Sequence, residues 1–325
     1  MSAAAVREFE AEARRRLEPA HYDYFAGGAA DELTARANEA AWDRVTAPAA
    51  VRGAPATGLL GAGPVLIAPT AFHRLAHPEG ERATARAAEA AGTIMIVSMA
   101  ATVAVGEIAA AAPGATLWFQ LYVQPDLAFT RTVVRRAEAA GCRALVVTVD
   151  SPALGRHDRD ARHGFRDLPA GLRCENLRDG DRVRPIAMWP ELSWRHLAAL
   201  RGMTSLPIVL KGVTHPADAR LAVEHGAAAV IVSNHGGRQL DTVPPTARLL
   251  PGVVAAVGGA VPVLVDGGLR SADQVRAALA LGAAAVGVGR PVLWGLAAAG
   301  EAGVLRVLDL LRPGCQEAVT ACWAS

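Results

Sequence analysis

Cysteine is scarce in this 325-residue chain: Cys142, Cys174, Cys315 and Cys322 form no C-x-x-C pair and show no zinc-like spacing with histidine. That pattern argues against a disulfide framework and a structural zinc site. A charge excess is also missing, because 33 Lys plus Arg stand against 31 Asp plus Glu, a net of +2. Neither nucleic acid nor a membrane surface is expected as a partner. No segment is expected to supply the ~18 apolar residues of a membrane span. The charged opening MSAAAVREFEAEARRRLEP has no apolar core for a signal peptide. A soluble chain in a reducing, cytoplasmic setting is the expectation. What the chain has in quantity is hydrophobic residues, 52%, enough for one substantial domain spanning 1–325.

From Pro64 onward, short β-rich apolar runs alternate with Ala-rich helical stretches. Eight runs are read as strands: Val65–Ala68, Ile94–Val97, Leu117–Leu121, Ala144–Val149, Ile208–Leu210, Ala229–Val232, Val263–Val265 and Ala285–Val288. They are continuously apolar rather than alternating, as parallel strands buried on both faces must be. Helices are expected between them, for example Glu79–Ala91, Leu127–Ala140, Ala217–His225 and Ala272–Leu281, several stopping at a glycine. Eight strand–helix units in about 250 residues fit an α/β class (β/α)8 TIM barrel better than an open doubly wound sheet. Residues 1–63 are read as an N-terminal extension with one or two helices and a crossing segment, Ala47–Gly63. Asp167–Pro190 is read as an irregular loop after the fourth strand.

The polar residues gather where the apolar runs finish. Strand four ends in Thr148 and Asp150, strand five in Lys211, and strand six in Ser233-Asn-His-Gly-Gly-Arg238. Strand seven ends in Asp266-Gly267-Gly268 and strand eight in Gly289-Arg290. Singly, each has an ordinary reading as a helix cap, a solvated charge or a turn residue. In a barrel, however, all of them surround the one mouth where catalytic groups sit. The turns Asp266–Arg270 and Val288–Arg290 occupy the positions where barrels bind phosphate through backbone N–H groups. His235 and Arg238 are placed to move a proton and to hold a carboxylate, which points to an organic-acid substrate.

The segment Ser233-Asn-His-Gly-Gly-Arg-Gln-Leu-Asp241 resembles the signature of the FMN-dependent α-hydroxy-acid oxidase and dehydrogenase family, which includes glycolate oxidase, lactate oxidase and mandelate dehydrogenase. The resemblance runs from about His21 to Arg312 and includes Tyr22-Asp-Tyr-Phe-Ala-Gly-Gly28, Ile67-Ala-Pro-Thr-Ala71, His77-Pro-Glu-Gly-Glu81, Phe119-Gln-Leu-Tyr122, Thr148-Val-Asp150 and Lys211-Gly. It implies FMN lined by Ala68, Pro69, Thr70, Ser98, Gln120, Thr148, Lys211 and Ser233. Asp266, Gly267, Gly268, Arg270, Gly289 and Arg290 would take its phosphate. By the same resemblance His235 removes a proton, Asp150 stabilises the resulting imidazolium, Arg238 holds the carboxylate, and Tyr24 and Tyr122 hydrogen-bond the substrate. The reaction implied is oxidation of an (S)-2-hydroxy acid to the 2-oxo acid, with no metal required.

Three departures refine this expectation. Ala100 stands where glycolate-oxidising members place a tryptophan, which implies a larger side chain on the substrate. His157 stands where the family places a substrate-contacting arginine, and lacks that residue's permanent fork. The segment Ala47–Gly63 and the end at Cys322-Trp-Ala-Ser325 look shortened. The absence of a cytochrome domain ahead of the barrel makes oxygen the expected acceptor, giving hydrogen peroxide. A homotetramer is expected from the family. A dehydrogenase or a decarboxylating monooxygenase on the same scaffold are the close rivals. A flavin-binding protein with lost oxidase activity, and a flavin-free barrel for a phosphorylated metabolite, are the distant ones.

Overall fold

The computed structural model describes residues 3–46, 58–60, 63–152 and 155–312. The expected curtailed end and most of the crossing segment 47–63 lie outside the described residues, as do Cys315 and Cys322; Cys142 and Cys174 are free thiols. All eight expected strands form. They are β1 (Val65–Ile67), β2 (Ile94–Val97), β3 (Thr116–Leu121), β4 (Leu145–Thr148), β5 (Ile208–Val213), β6 (Ala229–Val232), β7 (Val263–Asp266) and β8 (Ala285–Val288). Each pairs in parallel with its sequence neighbours, and β8 closes on β1, so the sheet is a barrel without edges.

The unbroken apolar runs have a direct cause, because both faces of every strand are buried but in different places. One parity points inward: Leu66, Ile96, Trp118, Val146, Val209, Ile231, Leu264 and Ala285 fill the barrel, with Leu60 packed against them. The other parity, including Ile67, Val97, Phe119, Val147, Leu210, Val232, Val265 and Val286, packs under the surrounding helices. The two-residue period along each strand therefore sorts the chain into a barrel interior and an outer core.

Four differences from the sequence reading have physical reasons. The N-terminal extension holds three helices, not one or two: α1 (Ala3–Arg16), α2 (Pro19–Ala26) and α3 (Leu33–Trp42). The third escapes pattern analysis because it buries the polar residues Thr34 and Asn38 along with Trp42. The helix expected from Glu79 begins at Glu81 (α4, Glu81–Ala90), after Gly80 takes φ +51 and donates to the His77 carbonyl at 2.9 Å. The loop expected to be irregular contains a short antiparallel ladder, Arg178–Asp179 with Arg182–Val183. Its neighbour Asn176 pins the loop, accepting from Val105 N at 2.7 Å and donating to the Ser98 carbonyl at 3.3 Å. Finally, the terminal helix Arg290–Leu311 is long and apolar enough to cross a membrane by composition. It is mostly buried against α1, α4 and the barrel, and broken by non-helical backbone at Ala299–Gly300.

Candidate active site

Following the inward-facing parity one step past the apolar layer, the next residues on successive strands are Ala68, Ser98, Gln120, Thr148, Lys211, Ser233, Asp266 and Gly287. A further step brings Thr70, Ala100, Tyr122, Asp150, His235, Gly268 and Gly289. The strand period thus carries most of the expected cofactor and catalytic residues to the C-terminal mouth of the barrel. The exception to the register is β5, where the pairing with β6 slips between Lys211 and Val213. Gly212 sits in this bulge at φ +107, and a Cβ there would lie 2.6 Å from the Asp150 Cβ. Gly212→Ala should cost about 2–3 kcal/mol and displace Asp150. A denaturant midpoint equal to wild type would refute that close approach.

A cavity of about 1480 Å³ opens at this mouth. Tyr24, Ala68–Phe72, Ser98, Ala100, Gln120, Tyr122, Thr148, His157, Lys211, His235, Arg238, Asp266–Arg270 and Gly289–Arg290 line it. Ser233 and Asp150 stand behind this lining. The Ser233 hydroxyl accepts from Lys211 Nζ at 3.0 Å and from the His235 backbone N–H at 3.0 Å, so it positions two site residues from below. Gln120 accepts from Ser98 Oγ and Met99 N and donates to Thr148 Oγ1 at 3.1 Å, which lays a row of polar groups across the floor.

His235 is held in an uncommon backbone conformation. It has φ +58, and Gly236 and Gly237 follow at +63 and +74. Such strain in a non-glycine residue persists only where surrounding contacts enforce it. Gly237 N donates to the Asn234 carbonyl at 3.0 Å, and the Asn234 side chain exchanges amide hydrogen bonds with Asn38 of α3 at 2.8 and 2.9 Å. Asn38 is a supporting residue that the sequence reading missed; a buried amide in a helix is its only sequence trace. The loop turns the His235 ring so that Nδ1 lies 2.9 Å from Asp150 Oδ1. With Nδ1–H committed there, the neutral ring presents Nε2 as an acceptor, and Nε2 makes no hydrogen bond among the described residues.

Asp150 is suited to that task. Burial pushes its carboxyl up, but the charge His235 carries when protonated, the Lys211 charge and hydrogen bonds from His235 and Ser151 outweigh burial and bring it to about 2. It stays ionised through the neutral range. Burial drives both site tyrosines up, Tyr24 to about 12, and Asp150 adds to the effect at Tyr122, so both remain hydroxyl donors. Arg238 Nη1 donates to the carbonyls of Tyr24 and Gly27 at 2.7 Å, and its Cζ lies 5.1 Å from the Tyr24 ring centroid. Arg156 pairs with Asp158, while Arg159 turns away to Glu32 and Asp23.

Lys211 is 3% exposed, and its Nζ lies 3.6 Å from Asp266 Oδ2. It is also the only lysine in the chain, since every other basic side chain among the 33 is arginine. That solitary lysine is a signal the sequence carries for a site where a compact point charge is required.

Three observations bear on what the cavity holds. Asp266 Oδ1 and Arg270 Nε are buried without a hydrogen-bond partner among the described residues, although Arg270 Nη2 pairs with Glu39 Oε1 at 2.6 Å. Burial, with the nearby guanidiniums of Arg238 and Arg270, outweighs the charges of Glu39 and Glu10 and pulls Arg290 down to about 9. Gly267 and Gly268, at φ +94 and +93, bring bare backbone to the same end. These features suit a phosphate and the hydroxylated chain attached to it. Arg290 itself has its Nε, Nη1 and Nη2 on the carbonyls of Phe25, Gly236 and Gly27, and so ties the end of α2 and the loop after β6 to the start of the helix it opens.

A family model described as FMN-dependent dehydrogenase matches residues 13–322. The chain belongs to the FMN-dependent dehydrogenase family. Among its relatives, glycolate oxidase of Spinacia oleracea is 47% identical, the match covering 94% of this chain and 88% of that protein. A peroxisomal (S)-2-hydroxy-acid oxidase of Oryza sativa subsp. japonica is 44% identical over 98% of this chain and 91% of its own length. Mandelate oxidase solved with benzoyl-formic acid superposes with a TM-score of 0.84 at 44% identity, covering 94% of this chain and 90% of that one. For a member of the FMN-dependent dehydrogenases the cofactor is FMN, and the residues present fit it. The Ser98–Gln120–Thr148 row suits the polar edge of a flavin ring, Asp266 its ribityl hydroxyls, and Arg270 with the glycine turns its phosphate.

Proposed function

We propose that this protein is an FMN-dependent oxidase of (S)-2-hydroxy acids with side chains larger than that of glycolate, passing the electrons to oxygen. The observation that carries the reading is the Asp150–His235 couple, with Nε2 of the histidine free in the cavity that Lys211 and Arg238 also line. FMN supplies a two-electron acceptor. The chain's own residues do the rest. The remaining face of the Arg238 guanidinium pairs with the substrate carboxylate. Tyr24 and Tyr122 donate hydrogen bonds that orient the acid and its hydroxyl. His235 Nε2 takes a proton from the substrate, and Asp150 stabilises the imidazolium that results. Lys211 offsets the negative charge that accumulates beside it as the electrons leave the substrate.

Two features support a bulkier substrate. Ala100, 4% exposed, presents only a methyl group to the cavity. The cavity lining also includes Phe165, Leu168, Leu172 and Met188, apolar side chains outside the expected flavin-contacting set. Anaerobic titration of the FMN-loaded protein with glycolate, L-lactate, (S)-mandelate and 4-hydroxymandelate tests the reading. The visible absorption band of the flavin should bleach at lower concentrations of the aromatic acids than of glycolate, and readmitted oxygen should restore it with release of peroxide. Preference for glycolate would remove the argument from Ala100, and a band that none of the acids bleaches would remove the activity.

A further inference from the structure

The mouth contains a second aspartate–histidine couple, and its geometry differs from the first. His157, the residue before the short helix Asp158–His163, places Nε2 2.8 Å from the Arg238 carbonyl oxygen and Nδ1 3.1 Å from Asp160 Oδ2. A carbonyl oxygen and a carboxylate oxygen both accept and neither donates. A neutral imidazole has one N–H, so one of its nitrogens would turn a lone pair on an acceptor. Only the doubly protonated ring satisfies both contacts. His235, by contrast, has one acceptor partner, and its other nitrogen has none among the described residues.

We propose that His157 is held as an imidazolium between Asp160 and the Arg238 carbonyl, and that it acts through Arg238 to make carboxylate binding weaken as pH rises. The proposal rests on the hydroxy-acid reading of the site. His157 is a positioning residue in this scheme, because both its N–H groups are occupied and neither reaches the substrate. It ties the loop after β4 to the backbone of the residue that meets the carboxylate, and it places a positive charge behind that residue.

The surrounding charges leave Asp160 as the counter-ion. Within the helix Asp158–His163, Arg159 is paired with Asp23 of α2 and with Glu32, and Asp158 is paired with Arg156 at the surface. His163 contacts Asp23 from the same helix. From the loop after β6, the Arg238 guanidinium turns to the Tyr24 and Gly27 carbonyls, and Arg290 to those of Phe25, Gly236 and Gly27. Losing the second proton would set the His157 lone pair against Asp160 or against the Arg238 carbonyl. The Arg238 loop would then lose one of its tethers and the carboxylate one nearby cation.

The test uses the FMN-loaded full chain and two readouts that do not depend on turnover. In a ¹⁵N-histidine NMR spectrum, with the His157 signals identified by their loss in His157→Gln, both ring nitrogens should still be protonated at about pH 7.5, where a solvated imidazole is mostly neutral. A neutral tautomer pattern there overturns the proposal. Binding of benzoylformate, followed through the flavin spectrum, gives the second readout. The wild-type Kd should rise about tenfold more between pH ~6 and ~9 than the Kd of His157→Gln, the scale of one charge-assisted hydrogen bond. His157→Arg, with a permanent charge, should keep tight binding across the range, and Asp160→Asn should weaken it at low pH. A His157→Gln profile parallel to wild type overturns the proposal. Because the NMR readout needs no substrate, it decides the charge of His157 even if no hydroxy acid bleaches the flavin, an outcome that would instead count against the proposed function.

Discussion

His235→Gln protein should keep its FMN and its fold, yet reduce flavin about a thousandfold more slowly than wild type under anaerobic mixing with the preferred acid. Glutamine can still donate an amide hydrogen to Asp150, and the left-handed turn is held by Gly236, Gly237 and the Asn38–Asn234 amide pair rather than by the imidazole. What it cannot do is accept a proton at the position of Nε2. The loss therefore belongs in the reduction rate, not in the absorbance of bound cofactor or the Kd for a 2-oxo acid. Rapid-reaction spectroscopy separates these quantities, and a reduction rate within tenfold of wild type would remove His235 from the role of base.

The second large effect is expected at Lys211, and it has two parts that a double variant can separate. Lys211→Met removes the buried cation that lies beside Asp266 and donates to Ser233. Its loss should slow flavin reduction by about 10²–10³-fold, since charge developing in a closed site is no longer offset. It also takes from the buried Asp266 carboxylate its ion-pair partner at 3.6 Å, a loss worth about 3 kcal/mol of stability. Adding Asp266→Asn removes the stranded charge. Stability should then return substantially while reduction stays slow. Recovery of both together would mean that Lys211 matters for architecture alone, and unchanged reduction in the single variant would exclude the electrostatic role.

The positions of the strands were readable because burial on both faces leaves runs that are apolar at every residue, as in Ile94–Val97 and Ala229–Val232. The site was readable for the same geometric reason: polar side chains at 98, 120, 148, 211, 233 and 266 interrupt the inward parity where the barrel interior ends. Contacts between distant segments were not readable. Nothing local to Asn38 marks its amide pairing with Asn234, and nothing local to Arg290 shows that its guanidinium is committed to three backbone carbonyls. The same holds for Ser233, which looks like a cavity residue by position but serves Lys211 and His235 from behind. The departure at His157 was visible as a substitution. Its meaning depends on Asp160 and the Arg238 carbonyl, which approach it only in the folded chain.

The solitary lysine has a practical consequence. Feeding the expression culture [ζ-¹⁵N]lysine would place a single side-chain nucleus in the whole polypeptide, lodged between Ser233 and Asp266 at the mouth of the barrel. One ammonium resonance, without any engineered substitution or assignment problem, would then report cofactor loading, acid binding and solvent entry at the reacting centre of the unaltered protein.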